Sequence, residues 1–162
     1  MKDMFIDLAK YRIQRAFENR TDAILLLKSD QVIESVNRLY LANYYAVKSL
    51  LATKMKDSTK QRRVLHIFQE HFVQPGDVPA EYSQIVDRSY RSRDEGERRD
   101  SNRISPQEAQ SMIDESEKFI GFVRNYLQKI ILANPEKATE PIKSGEEGEK
   151  KGRREHRGRR KD

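Results

Sequence analysis

The fold is decided by residues 33–51, whose sequence IESVNRLYLANYYAVKSLL contains neither glycine nor proline. Apolar residues recur there at helical spacing along two stripes rather than one, which predicts a helix that is apolar on both sides. The first stripe comprises Val32, Val36, Leu39, Ala46 and Leu50, and the second comprises Ile33, Tyr40, Tyr44, Val47 and Leu51. Such a helix packs between neighbours, so we expect it to be the central helix of the fold.

The segments on either side of this helix are also predicted to be helical. Neither glycine nor proline occurs before Pro75, and the absence of both over so long a stretch favours long helices. We predict a first helix at about 3–28, where three alanines widen the apolar stripe, and place the central helix at about 30–55. The three alanines are Ala9, Ala16 and Ala23.

Three further helix starts carry capping signals. Ser58-Thr59-Lys60-Gln61 has the form of a capping box, Pro79 suits the first turn of a fourth helix, and Ser105-Pro106 begins a fifth. Asn134-Pro135 ends the last helix, and no segment alternates in the way a strand requires. The sequence therefore predicts an all-α fold: an antiparallel bundle of four to five helices spanning residues 1–134.

Charge is distributed unevenly between this bundle and the end of the chain. The 162 residues carry a net charge of +6, yet residues 1–149 hold equal numbers of basic and acidic side chains. Residues 135–162 are nearly devoid of apolar residues and are expected to form a disordered basic tail, which either contacts phosphates or an acidic partner or serves only as a solubilising extension. Its basic residues are Lys150, Lys151, Arg153, Arg154, Arg157, Arg159, Arg160 and Lys161.

Several functional classes are excluded by what the sequence lacks. The chain has no cysteine, so it has neither a disulfide framework nor a Cys-rich zinc site. Its three histidines lack metal-ligand spacing, and its glycines are not grouped into a phosphate loop, so we expect no metal and no cofactor. No apolar run approaches the length of a membrane span, and Met1-Lys2-Asp3 does not begin an export signal. We expect a cytoplasmic protein that does not contact membranes.

Two charged features are candidates for ligand contact. Arg38 precedes three tyrosines, which indicates either a surface that stacks bases or core rings beside an arginine paired with an acid. We favour the core interpretation for Tyr40 and Tyr44 and expect Tyr45 to be exposed. The second feature, Arg91–Arg103, has no apolar residue and is predicted to be a solvated loop.

The central helix also carries a family resemblance. Asn37–Leu51 is similar to the second-helix signature of the HEPN superfamily, a Ser-Arg-Ala-Tyr-Tyr-Ala core followed by an aromatic residue and a Leu pair. These proteins are small helical bundles named for a nucleotide-binding role in higher eukaryotes and prokaryotes. Phe68–Val73, with Gly76 and Pro79, resembles the segment that follows.

The resemblance continues through the second charged feature. Arg93 matches the family arginine, and Ile104–Tyr126 matches the closing helix, so the similarity runs from about residue 10 to residue 128. It implies a homodimer, often encoded beside a minimal nucleotidyltransferase in a toxin–antitoxin-like pair. In the branch that this chain most resembles, an Asp-Tyr pair follows the arginine, and here Glu97 and Arg98 occupy those positions.

Many relatives are metal-independent ribonucleases that use an arginine followed, after four to six residues, by a histidine. No histidine of this chain lies at that spacing, and arginine stays charged where cleavage needs a group that exchanges a proton. We therefore expect no catalytic residue, and instead a non-catalytic or weakly catalytic component that binds RNA or a nucleotide. The candidate contacts are Arg38, Tyr45, Arg91, Arg93, Glu97 and Arg98.

Two alternatives remain open. The first is a ribonuclease toxin in which His66 or His71 reaches Arg93 from the third helix. The second is a structural dimeric adaptor that binds a protein partner and no nucleic acid.

Overall fold

The computed structural model describes residues 2–98 and 104–133, and these residues form helices joined by short turns. A π-helical turn at Gln69–Val73 continues the third helix without a break. The helices are α1 (Lys2–Lys28), α2 (Val32–Thr53), α3 (Gln61–Phe68), α4 (Ala80–Arg98) and α5 (Pro106–Leu132).

The predicted all-α bundle is confirmed for the described residues, while the tail at 135–162 lies outside them. Two local predictions are wrong. The capping box does not form, because α3 begins only at Gln61 and the Ser58 hydroxyl instead accepts a hydrogen bond from the backbone N–H of Lys60 at 3.1 Å. The predicted loop at Arg91–Arg103 is helical up to Arg98, since α4 runs two turns further than its apolar residues do.

The start of α5 agrees with its prediction. Ser105 is the N-cap residue, its hydroxyl accepts a hydrogen bond from the backbone N–H of Glu108 at 3.1 Å, and Pro106 occupies the first turn. This cap satisfies one of the amides that have no partner within the helix.

The helices α1 and α2 pack against each other along a seam of small side chains. Each helix contributes a small buried residue at every seventh position, which lets the two antiparallel backbones approach closely. Hydroxyl groups complete the seam, because Ser35 Oγ donates to the carbonyl of Ala23 at 2.6 Å and Ser49 Oγ donates to that of Ala9 at 2.7 Å. The members of this small-residue seam are Ala9, Ala16, Ala23, Ser35, Ala42 and Ser49.

The helix α2 is central, as its two apolar stripes predicted, and it contacts each of the other four helices. Its buried apolar residues pack against α5 through Phe119 and Ile120. The polar Asn43, which is fully buried, donates from Nδ2 to the hydroxyl of Ser89 on α4 at 3.1 Å. Burial of this amide is thus partly compensated by a hydrogen bond that also fixes α4 against α2.

Within the described ranges, none of the helices is both long enough and apolar enough to cross a membrane.

Replacing Ala16 by Leu is expected to lower the free energy of unfolding by about 1–3 kcal/mol, because the larger side chain would push the seam apart. Ala16 has no exposed surface. The matched control is Ala80→Leu at the exposed first residue of α4, where we expect little change. Urea denaturation followed by circular dichroism measures both. Equal effects at the two positions would show that the seam does not require small side chains.

Candidate functional site

Three tyrosines from two helices form an aromatic cluster at one side of α2. Tyr40 and Tyr44 are four residues apart on α2, with ring centroids 5.8 Å apart and planes inclined by 28°. Tyr90 of α4 approaches Tyr40 at 5.5 Å and an angle of 57°. Tyr40 is fully buried, whereas Tyr44 and Tyr90 are partly exposed. We call these residues the tyrosine cluster, with Tyr40 as its floor.

The arginine matched by the family resemblance lies against this cluster. The guanidinium carbon of Arg93 is 5.1 Å from the centroid of the Tyr40 ring, within the range of a cation–π interaction. The Tyr40 hydroxyl donates to Oε1 of Gln61, at the start of α3, at 3.0 Å. Burial is the main reason that the pKa of Tyr40 is raised, with a further contribution from Tyr44 and an opposing one from Arg93. The phenol therefore stays neutral and keeps the proton with which it donates a hydrogen bond to Gln61.

A cluster of charges lies beside the tyrosines and is formed by the nearly buried Arg12, the partly buried Lys48 and the exposed Asp57. Arg12 Nη2 is 2.8 Å from Asp57 Oδ2, and Lys48 Nζ is 3.5 Å from Asp57 Oδ1. Arg12 also donates to the carbonyl of Lys48 at 3.1 Å, and only 8% of its surface is exposed. This ion cluster holds the α2–α3 connection against α1 and α2.

Electrostatics link the two clusters. Burial alone would raise the pKa of the Asp57 carboxyl. The pKa is nevertheless lowered overall, because the carboxylate accepts hydrogen bonds from Arg12 and from the backbone N–H of Ser58 and lies near the positive charges of Arg12 and Lys48. The pKa of Tyr44 is raised, first by burial and then by the negative charge of Asp57. Lys48 Nζ is 5.7 Å from the centroid of the Tyr44 ring. Tyr44 is therefore flanked by the tyrosine cluster on one side and by the ion cluster on the other.

Arg38 and Tyr45 lie on the other side of α2, toward α1. Arg38 Nη1 donates to Asn19 Oδ1 at 3.2 Å and is 3.6 Å from a carboxylate oxygen of Asp22, which agrees with the interpretation of an arginine paired with a neighbouring acid. Tyr45 is only partly exposed, because its ring packs on the core and the guanidinium carbon of Arg15 is 5.5 Å from its centroid. The structure thus places these two candidates against α1, whereas Arg93 of α4 lies over Tyr40.

The remaining candidates of the predicted loop are helical. Arg91 is exposed and its Nε lies 3.4 Å from Asp87 Oδ2, one turn earlier. This pairing, together with the packing of Arg93 on Tyr40, explains why α4 extends beyond its apolar residues. The side chains of Glu97 and Arg98 lie outside the described part of the molecule, and so do all the basic residues from 150 onward.

The two histidines of the bundle lie on α3 and on the π-helical turn that continues it. His66 is mostly exposed on α3, and its Nε2 lies 3.2 Å from Glu70 Oε2 on the same helix. The backbone carbonyl of His71 accepts a hydrogen bond from Lys54 Nζ at 2.6 Å. Over the described ranges, no group of three or more histidine, aspartate or glutamate side chains is placed to hold a metal ion.

Sequence reasoning missed several residues of this site, namely Arg12, Lys48, Asp57 and Gln61. None stands out locally, because each depends on a partner at least nine residues away in the chain. One missed signal was available: residues 54–63 contain five basic residues and only one acid. Tyr90 of α4 is a further member of the tyrosine cluster that is absent from the candidates drawn from the sequence.

The fold and the site together define a small all-α bundle in which an arginine of α4 lies over a tyrosine of the central helix. The chain matches the HEPN domain over residues 9–126 and belongs to this family. It is 28% identical to a UPF0332 protein of Thermotoga maritima, over 76% of this chain and 93% of that protein.

Two relatives from Methanocaldococcus jannaschii are named as candidate toxins. The chain is 29% identical to one of them, over 74% of this chain and 88% of that protein. It is 26% identical to the other over 57% of this chain. The HEPN relatives of this chain thus include proteins named as candidate toxins.

Replacing Asp57 by Asn is expected to lower the free energy of unfolding by about 1 kcal/mol at neutral pH, because the nearly buried Arg12 loses its anionic partner. The pKa of the Asp57 carboxyl is lowered in the folded protein. The ionised carboxylate therefore stabilises the folded state fully above the unfolded-state pKa, and this stabilisation is lost as the pH falls through the folded-state pKa. The difference between variant and wild type should therefore shrink in acid. Urea denaturation at several pH values measures it.

The control is Asp114→Asn, at an exposed position of α5. It should lower the free energy of unfolding less than Asp57→Asn does at neutral pH. A pH-independent penalty for Asp57→Asn would contradict an electrostatic role of the ion cluster.

Proposed function

We propose that this protein is the RNA-binding component of a HEPN toxin–antitoxin-type pair and that it binds rather than cleaves its ligand. The observation that carries the proposal is the fixed position of Arg93 over Tyr40, beside the partly exposed Tyr44. A guanidinium group stays charged at every physiological pH and binds phosphate oxygens in a bidentate manner. Aromatic rings next to it offer a face on which an unpaired base stacks.

A binding role suits Arg93 better than a role in proton transfer. Cleavage of RNA without a metal requires a side chain that exchanges a proton near neutral pH, and arginine does not do so. The recorded partner of the His66 ring is Glu70, on its own helix. In this proposal Arg93 positions a phosphate group, and the basic tail adds contacts that depend on salt but not on sequence.

The proposal also includes a cytoplasmic homodimer. Three exposed apolar side chains, Met4, Tyr11 and Leu25, lie at multiples of seven residues on α1 and therefore share one face of this helix. Exposed apolar residues on one face of a helix support association with a second copy. A minimal nucleotidyltransferase is the proposed partner of the pair, and its presence in the adjoining reading frame is a direct check.

RNA binding is tested on the full chain after every basic residue from 150 onward has been replaced by Gln, which removes the contribution of the tail. In this background Arg93→Gln should weaken the binding of a labelled oligoribonucleotide roughly tenfold, as expected for the loss of a charged contact. Fluorescence anisotropy measures the affinity. The matched control is Arg88→Gln, which removes the same charge from the same helix where Arg88 pairs with Glu115.

Thermal denaturation of both variants establishes that they are folded. Affinity that is unchanged by Arg93→Gln, or reduced equally by Arg88→Gln, would contradict the assigned role of Arg93. A parallel incubation of the RNA with protein and EDTA that yields cleavage products would contradict a purely binding function.

The dimer is tested by sedimentation equilibrium of the full chain. The expected mass is about twice the 19.1 kDa of one chain. The double variant Tyr11→Glu, Leu25→Glu should have a mass closer to that of the monomer, because charges are costly to bury in an apolar interface. Leu132→Glu is the control, since Leu132 is even more exposed but lies at the end of α5. A monomeric wild-type chain would refute the dimer.

A further inference from the structure

A patch of exposed cations begins where the tyrosine cluster ends. Gln61, which accepts the hydroxyl hydrogen bond of Tyr40, lies between Lys60 and Arg62 in the chain, and Arg63 follows. Lys60, Arg62 and Arg63 are all exposed at the start of α3. We call them the α3 cation patch.

These three cations differ from most others in the bundle because they lack acidic partners. In the described ranges, at least eight other basic side chains form ion pairs with carboxylates, which is how a bundle with balanced charge neutralises itself. None of the three patch residues has an ion pair or a side-chain hydrogen bond within those same ranges. Their positive charge is therefore available to an external anion.

The position of the patch indicates which anion it fits. The nearest acid along the chain, Asp57, is already bound to Arg12 and Lys48, so it does not neutralise the patch. Lys48 Nζ lies 3.5 Å from Asp57 Oδ1 and 5.7 Å from the ring centroid of the partly exposed Tyr44, so this ring lies close to the same carboxylate. A ligand that spans both surfaces must combine several negative charges with flat aromatic groups. A nucleic-acid strand with unpaired bases has both, whereas a duplex hides the faces of its bases.

We infer that Lys60, Arg62 and Arg63 bind the phosphate backbone of a single-stranded RNA whose bases contact the tyrosine cluster. This inference rests on the proposed function and extends it, because it assigns the path of the strand from Arg93 across Gln61 to the start of α3. Arg62 and Arg63 supply guanidinium groups suited to phosphate, and Lys60 supplies a point charge.

The test uses the full chain with the tail neutralised as above and a labelled decauridylate, titrated at three salt concentrations. Replacing Arg62 and Arg63 together by Gln should raise the Kd roughly tenfold at the lowest salt. The slope of log affinity against log salt should also become shallower by about 1.4, which corresponds to two released phosphate contacts on a single strand. Replacement of both by Lys should restore most of the slope.

The matched control replaces Lys118 and Lys129 by Gln. Both are exposed on α5, neither has an ion pair in the described part of the chain, and the pair removes the same two charges. We expect less than a twofold change in Kd for this control. Equal weakening by both pairs would overturn the inference, because it would show that only net charge matters.

Two further outcomes also decide the question. Competition by polyglutamate as strong as that by unlabelled decauridylate, or equal binding of duplex RNA, would overturn the assignment of a single-stranded RNA. If the unaltered chain binds no RNA, the proposed function itself fails. If the chain binds RNA and its affinity falls on Arg93→Gln but does not change on substitution of residues 62 and 63, only this inference fails.

Discussion

The structure depends on the close contact between α1 and α2. Small side chains at every seventh position of both helices allow the backbones to approach, and the hydroxyl groups of Ser35 and Ser49 donate to carbonyls of α1 across the contact. Larger residues would separate the helices, and a hydroxyl without an acceptor would be costly to bury. The contact also sets the register of the two helices. Because Ser49 meets Ala9, Arg12 lies next to Lys48 and reaches the carboxylate of Asp57.

With α1 on one side, the rest of α2 is available for the other helices and for the candidate site. The Tyr40 ring is buried between α4 and the start of α3, and Arg93 and Gln61 approach it from these two elements. The site is therefore composed of residues that also hold the bundle together. Such a site is preorganised, since the guanidinium group of Arg93 is positioned by packing before any ligand arrives. This preorganisation suits the proposed role in binding RNA, because ordering a flexible side chain on binding would reduce the affinity.

Much of the fold could be predicted because its signals are local. Helical periodicity, the absence of early glycine and proline, and the Ser105 cap each depend on residues within a few turns. The prediction of a loop at Arg91–Arg98 was wrong because it relied on the absence of apolar residues. The helix is instead extended by the ion pair between Arg91 and Asp87, one turn earlier, and by the packing of Arg93 on the Tyr40 ring of α2. Tyr45 proved less exposed than expected for a similar reason, because the covering Arg15 belongs to another helix.

The sequence by itself determined that residues 33–51 form a central helix, that the fold is an all-α bundle, and that the net positive charge is located at the end of the chain. These properties follow from periodicity and composition, which do not require knowledge of distant contacts. Only the tertiary structure decided that Arg93 joins Tyr40 while Arg38 joins Asp22, and that Arg12, Lys48 and Asp57 form one cluster. Each of these pairings connects separate helices, and the choice among many acids and rings depends on the register in which the helices pack.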